Sequence, residues 1–137
     1  VTKIDPGVNA RIEYALFARY NDSNKIQFEF TTGTNGAGAG MHTIVSSTLA
    51  TTTNTWYCII GGRDATLGSN WISVNGSAKE WVASPIPGPT ATPFRIGLHG
   101  SATHFWNGVI DEVQWWNTNL TPAQIGFLTN NPPPTLP

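Results

Sequence analysis

The chain has 137 residues, of which 39% are hydrophobic and 11% are charged, and its formal net charge is −1. This length fits one domain, and six tryptophans and six phenylalanines supply enough apolar surface for a single core. The seven basic residues form no run, which argues against a nucleic-acid partner. Ordinary soluble domains carry about 25% charged residues, so this sparsely charged surface favours neutral ligands or self-assembly.

Cysteine content and hydropathy argue against an internal disulfide, a thiol enzyme and a membrane-spanning protein. Cys58 is the only cysteine, so the chain forms no internal disulfide, and its strand-forming neighbours predict a core position rather than a catalytic thiol. No apolar stretch reaches the length of about 18 residues that a membrane helix needs. We therefore expect no membrane span.

Alternating apolar and polar residues, interrupted by turn residues about every ten positions, predict an all-β fold. The predicted strands, in chain order, cover residues 11–20, 25–30, 41–49, 55–61, 71–74, 78–83, 94–98 and 109–116. A glycine-rich loop at residues 33–40 and a loop with four prolines at residues 84–93 interrupt the pairing.

Two of these strands have specific local signals. In residues 25–30, Ile26 and Phe28 fall on one face and Gln27 and Glu29 on the other, which is typical of a half-buried antiparallel strand. Residues 71–74 run into Asn75-Gly76, a strong hairpin signal. This hairpin would pair residues 71–74 with 78–83.

One short helix is predicted near the end of the chain. Thr121 can cap it, Pro122 suits the first helical position, and Ile125 and Leu128 fall at helical spacing. The prolines that follow residue 131 end regular structure. The sequence therefore predicts one domain over residues 1–131 and a proline-rich tail or linker over residues 132–137.

Three fragments, in order, carry a family resemblance: Thr55-Trp56-Tyr57-Cys58-Ile59-Ile60, Trp71-Ile72-Ser73-Val74-Asn75-Gly76, and residues 105–121 with their F-x-G-x-I-D-E-V-like strand. Together they resemble the laminin-G-like and pentraxin-like branch of the concanavalin A-like lectin/glucanase superfamily. This resemblance implies an antiparallel two-sheet jelly-roll sandwich with one short C-terminal helix. Members usually begin with one more aromatic-bearing strand, so a shortened or truncated sandwich is expected.

Carboxylate spacing argues against an enzyme. A glycoside hydrolase needs two carboxylates about 5–9.5 Å apart, and the E-x-D-x-x-E cluster of this fold's hydrolases is absent. Asp111 and Glu112 are adjacent, so on a strand they would point to opposite faces. We expect no catalysis.

Two turns carry oxygen ligands of the kind that calcium prefers. Asp22 with Asn24, and Asp64 with Asn70, are the candidates, since carboxylate and amide oxygens bind hard cations. Neither gives an aspartate-rich ligand run, and ordinary turn hydrogen bonding explains both. We therefore expect either no cofactor or a bound calcium ion.

Aromatic residues give the clearest binding hypothesis. If Trp115 lies in the core, Trp116 stands on the other face beside Gln114 and Glu112. An exposed indole with such neighbours can stack on a sugar ring while the polar groups bind its hydroxyls. Trp71 and Trp81 would extend this platform. Large aromatics also fill sandwich cores and subunit interfaces, which is the alternative.

These observations predict a non-catalytic extracellular recognition module that binds a neutral glycan or a partner protein surface. The alternative is a structural or adhesive subunit of an extracellular filament, a cell-surface array or a virion, which low charge also suits. Both place the chain outside the cell, on its surface or in a virion. A glycoside hydrolase is the weakest of the three hypotheses.

Overall fold

The computed structural model describes residues 2–5, 11–19, 23–32, 41–84, 95–97 and 106–131. The regular elements in these ranges are β1 (Thr2–Asp5), β2 (Arg11–Arg19), β3 (Lys25–Thr32), β4 (Met41–Ala50), β5 (Ile59–Asp64), β6 (Ser69–Val74), β7 (Glu80–Ala83) and α1 (Pro122–Asn130).

The strands form two antiparallel sheets. Sheet A has the order β1-β2-β3-β4, and sheet B has the order β5-β6-β7. This confirms the predicted all-β sandwich with two antiparallel sheets and one short helix. The sequence pattern did not predict β1, which has four residues and pairs with β2.

The two sheets pack face to face around one apolar cluster. Its buried members are Ile26, Phe28 and Val45 from sheet A and Ile72 and Val74 from sheet B. A methyl group at Gly61 would lie 2.7 Å from the Phe28 ring, so the close approach of the sheets requires glycine there.

The other face of sheet B packs against the C-terminal helix. Trp71 forms a second buried cluster with Leu120 and Ile125. The described residues therefore form three layers: sheet A, sheet B and α1. Sheet B is the middle layer, and its central strand β6 buries side chains on both faces.

The helix begins as the sequence predicts. The backbone N–H of Gln124 donates to Thr121 Oγ1 at 3.3 Å, and the backbone N–H of Thr121 donates to Gln124 Oε1 at 2.8 Å. This reciprocal pair is a capping box, and Pro122 occupies the first turn where no N–H is needed.

The predicted turn at Asn75-Gly76 is also confirmed. Asn75 and Gly76 have φ angles of 52° and 74°, and the Cys58 N–H donates to Asn75 Oδ1 at 2.9 Å. The returning strand starts at Glu80 rather than at residue 78. Cys58, expected in the core, is half-buried.

Glu80 links the two sheets. Its Oε2 accepts hydrogen bonds from the Thr48 N–H at 2.8 Å and from the Thr48 hydroxyl at 2.6 Å. Thr48 belongs to β4, so this carboxylate joins β7 to sheet A.

Three predictions about strands were wrong. The strand predicted for residues 55–61 begins only at Ile59. Gln27 and Glu29 are only 4% and 7% exposed, so β3 is buried on both faces. Residues 109–116 form no strand in the structure, and Glu112 lies in the left-handed region with φ 49°. A left-handed residue interrupts strand geometry, which ends the alternation on which the prediction for residues 109–116 relied.

Some predictions lie outside the described residues. These are the loop at 33–40, most of the proline-containing loop at 84–93, and the tail at 132–137. Of the predicted strand 94–98, the described residues 95–97 contain an isolated bridge at Arg95. The boundary between domain and tail stays a prediction.

Candidate functional site

The register of sheet B divides its polar and aromatic side chains between two faces. Trp81 lies opposite Trp71, and Asp64 lies opposite Ser69, two residues before Trp71. Because alternate residues share a face, Asp64, Trp71 and Trp81 all lie on the α1 side of the sheet. Asn70 lies on the other side, towards sheet A.

On the α1 side, five side chains form a group that we call the Trp81 cluster: Asp64, Trp71, Lys79, Trp81 and Asn119. The indole rings of Trp71 and Trp81 are 6.3 Å apart between centroids and inclined by 55°. They differ in exposure, since Trp71 is 1% exposed and Trp81 is 43% exposed.

The burial of Trp71 corrects one part of the predicted platform. Its ring packs against Leu120 and Ile125, so it has no free face for a ligand. Trp81 has an accessible ring, as a stacking platform requires. Of this cross-strand pair, Trp81 is the residue that can contact a ligand.

Lys79 lies over both indoles. Its ammonium nitrogen is 4.1 Å from the Trp71 ring centroid and 5.1 Å from the Trp81 ring centroid, within the range of cation–π attraction. Burial lowers the pKa of Lys79, and the negative charge of Asp64 acts in the opposite direction. The ammonium is thus a partly desolvated donor beside an exposed ring.

Asn119 joins the cluster through its side-chain amide. Its Oδ1 accepts hydrogen bonds from Trp71 Nε1 at 2.9 Å and from Lys79 Nζ at 3.1 Å. Its Nδ2 donates to Asp64 Oδ2 at 2.6 Å. These bonds orient the amide, since each end meets a partner of opposite hydrogen-bonding type.

Sequence reasoning missed Lys79 and Asn119. Lys79 precedes Trp81 by two residues, so its place in the predicted returning strand could have indicated that it lies close to Trp81. No local signal marked Asn119, because its partners Trp71 and Asp64 are 48 and 55 residues away in the chain.

The structure does not bring Asp64 and Asn70 together as one calcium site. They lie on opposite faces of sheet B, and Arg63 Nη1 donates to Asn70 Oδ1 at 3.2 Å. Asp64 Oδ1 already accepts two backbone N–H groups of the following turn. A guanidinium on the amide oxygen disfavours a cation at Asn70.

The other calcium candidate is only partly described. Asp22 lies outside the described residues, and Asn24 is exposed, with its carbonyl accepting from the Thr51 N–H at 2.9 Å. In the described ranges, no three His, Cys, Asp or Glu side chains group as a metal site. Calcium binding stays a prediction.

Trp116 lies at a second surface, which we call the helix groove. It is 48% exposed and lines an open cavity of about 310 Å³. The other lining residues are Leu120, Ala123, Gln124, Phe127 and Leu128.

The polar neighbours predicted for Trp116 do not line the helix groove. Gln114 and Glu112 are exposed, and Gln114 Nε2 donates to Glu112 Oε2 at 3.4 Å. Trp115, whose core position was the condition for this predicted platform, is 67% exposed. The groove therefore offers a mainly apolar surface rather than the predicted mix of indole, amide and carboxylate.

A solved structure of an S-layer domain-containing protein from Clostridium thermocellum is similar to this chain, with a TM-score of 0.50 and 19% identity. The match covers 91% of this chain and 59% of that structure, so the chain spans about three-fifths of its length. This likeness concerns the fold alone. Comparison with curated proteins gave no match.

Within the described ranges, no helix has the length and apolarity needed to cross a membrane. The fold consists of two antiparallel sheets and a short C-terminal helix, as the sequence resemblance implies. The family model described as the concanavalin A-like lectin/glucanases superfamily matches residues 5–126. The chain therefore belongs to the concanavalin A-like lectin/glucanase superfamily.

Proposed function

We propose that this chain is a non-catalytic extracellular recognition module that binds a neutral glycan at the Trp81 cluster. The observation that carries this proposal is the half-exposed indole of Trp81 beside the ammonium of Lys79, which in turn is bonded to the amide of Asn119. An indole face stacks on the C–H face of a sugar, and placed polar groups bind its hydroxyls.

The polar groups keep bonding capacity for a ligand. An ammonium has three N–H donors, and Lys79 uses one of them on Asn119. The Asn119 amide has two N–H donors and uses one on Asp64. Sugar hydroxyl oxygens accept such donors, so the cluster offers hydrogen bonds as well as an apolar platform.

The hydrogen bonds of three carboxylates favour a module without chemistry. Glu80 is bonded to Thr48, and Asp64 is bonded to Asn119 and to a turn. Asp111 Oδ1 accepts the Glu112 N–H at 2.8 Å. A hydrolase needs two carboxylates aimed at one glycosidic bond, whereas these three serve structural hydrogen bonds.

An extracellular location is supported by the comparisons. The family is named for its lectins and glucanases, and the similar structure from Clostridium thermocellum belongs to a protein described as S-layer domain-containing. The low content of charged residues, 11%, is consistent with such a location.

A glycan panel with matched tryptophan variants tests the proposal. Trp81→Ala should weaken binding of a neutral oligosaccharide at least about tenfold, because buried aromatic contacts dominate recognition. Trp56→Ala is the control, since Trp56 is exposed and lies outside the cluster. Isothermal titration calorimetry measures both. Equal loss in both variants, or no binding of any sugar, contradicts the proposal, and released sugar fragments contradict a non-catalytic role.

A second candidate function is a self-assembling structural subunit of a surface layer or filament. Many exposed apolar side chains lie in one segment of eleven residues, 106–116. They are Trp106, Val109, Ile110, Val113, Trp115 and Trp116. Contiguous apolar patches mark interaction surfaces, and this concentration of exposed apolar side chains in one short segment favours such a surface. Sedimentation over a wide concentration range should then show assembly that Val113→Asp reduces, and a monomer at every concentration contradicts this function.

A further inference from the structure

The two charges of the Trp81 cluster lie at opposite ends of one amide. Asn119 Oδ1 accepts from Lys79 Nζ at 3.1 Å, and Asn119 Nδ2 donates to Asp64 Oδ2 at 2.6 Å. The amide therefore couples the ammonium to the carboxylate without direct contact between them. The positive end of the amide dipole faces the negative charge, and the negative end faces the positive charge.

We infer that Asp64 is the specificity-determining residue of this site and that it makes the site select uncharged sugars over carboxylated ones. This inference rests on the proposed function. Without Asp64, the ammonium of Lys79 would attract the carboxylate of a uronic acid. With Asp64, the cluster has no net charge, and a uronate carboxylate gains little from Lys79 while being repelled by Asp64.

The neighbouring charged residues do not alter this balance, because they point away. Arg63 bonds to Asn70 and to the Ser84 carbonyl, on the side of sheet B that faces sheet A. Glu80 lies opposite Ile72 and bonds to Thr48 of sheet A. Lys79 and Asp64 are thus the charges of the cluster.

The titration of Lys79 is consistent with this coupling. Burial lowers the pKa of its ammonium group, and Asp64 raises it. The carboxylate therefore helps to keep Lys79 charged, so that the ammonium can donate to a sugar hydroxyl.

The test compares Asp64→Asn with the wild-type chain on two ligands that differ in one group. The ligands are a neutral glucose oligosaccharide and its counterpart oxidised to the uronate at C6. Wild-type protein should prefer the neutral ligand. Asp64→Asn should raise the relative affinity for the uronate about tenfold, and added salt should abolish the gain, because exposed charges are screened.

Asp111→Asn is the matched control. It removes the same charge from the molecule, and Asp111 is exposed and outside the cluster. The ratio of the two affinities should not change. Circular dichroism checks that Asp64→Asn folds, because the new side chain keeps one oxygen for the turn N–H groups but its NH2 now faces the Asn119 Nδ2 donor and loses that hydrogen bond. The ratio of the two affinities is therefore the readout, since displacement of Asn119 alone weakens both ligands.

Lys79→Met gives an independent second variant. It keeps an unbranched stem over the indoles but removes the ammonium, so uronate binding should fall more than neutral binding. If wild-type protein binds the neutral ligand and neither variant changes the ratio, the inference is wrong while the proposed function stands. If wild-type protein binds neither ligand, both are wrong.

Discussion

At the scale of single residues, Trp71 and Trp81 show how register and covering layers give one residue type two environments. They are cross-strand partners, and the hairpin signal in the sequence predicts that their strands pair but not the register that puts both rings on one face. The exposure of the two rings does not follow from the hairpin signal either, because Leu120 and Ile125 cover Trp71 alone, from about 50 residues further along the chain. A local pattern identifies the pair, whereas the tertiary fold decides which ring a ligand can contact.

The coupling of Lys79 to Asp64 predicts a measurable change in titration. In Asp64→Asn, the pKa of Lys79 should fall further below its ordinary value, because burial still lowers it and the carboxylate no longer raises it. Carbon-13 NMR of the lysine ε carbon over an alkaline pH range measures this. Asp111→Asn should leave the pKa of Lys79 unchanged, and a rise in Asp64→Asn would contradict the coupling.

The lowered pKa of Lys79 also determines how the free energy of unfolding changes with pH. Between the lowered pKa of native Lys79 and the ordinary value of 10.5, the unfolded chain binds more protons than the native state. The contribution of Lys79 to the free energy of unfolding therefore increases as pH rises through this window. This contribution is absent in Lys79→Met.

At the scale of elements, local signals predicted α1 well and residues 109–116 poorly. The capping box and Pro122 act within one turn, so the sequence alone determines where α1 begins. A strand needs a partner, and alternation in residues 109–116 does not supply one. Local residues likewise did not reveal that both faces of β3 are buried, because burial depends on packing against the rest of the fold.

Two substitutions in α1 test the account of this helix. Thr121→Ala should lower the free energy of unfolding by about 1 kcal/mol, since it removes the side-chain acceptor for the Gln124 N–H. Gly126→Ala should raise it by up to about 1 kcal/mol, because Gly126 is helical and a methyl group there meets no atom within 4 Å. Urea unfolding measures both. Equal stability of the two variants would contradict the capping box.

At the scale of the whole molecule, the three-layer arrangement makes β6 the centre of the fold. Its residues from 70 to 74 are all buried, because sheet A covers one face and α1 with the segment before it covers the other. Three fragments in a fixed order along the chain were enough to identify the superfamily from sequence, although the third contains residues 109–116, which form no strand. The site was less predictable, because Asn119 meets Trp71 and Asp64 only in the folded chain.

Hydrogen exchange tests whether β6 is more stable than the segment at residues 109–114. Backbone amides of β6 should exchange most slowly, at the rate of global unfolding, whereas amides at residues 109–114 should exchange quickly because they lie outside the sheets. Mass spectrometry of exchanged peptides resolves the two segments. Equal protection in both would contradict the finding that residues 109–116 form no strand.

The central claim is that Trp81 is the residue that contacts a glycan, and one spectrum tests it directly. The six tryptophan indole N–H groups give separate resonances in a proton–nitrogen correlation spectrum, assigned by single substitutions. During titration with a neutral oligosaccharide, the Trp81 resonance should move most, with a smaller shift of Trp71 through Asn119 and none of Trp56. Movement of Trp116 with Trp81 unchanged would place binding in the helix groove and contradict the claim.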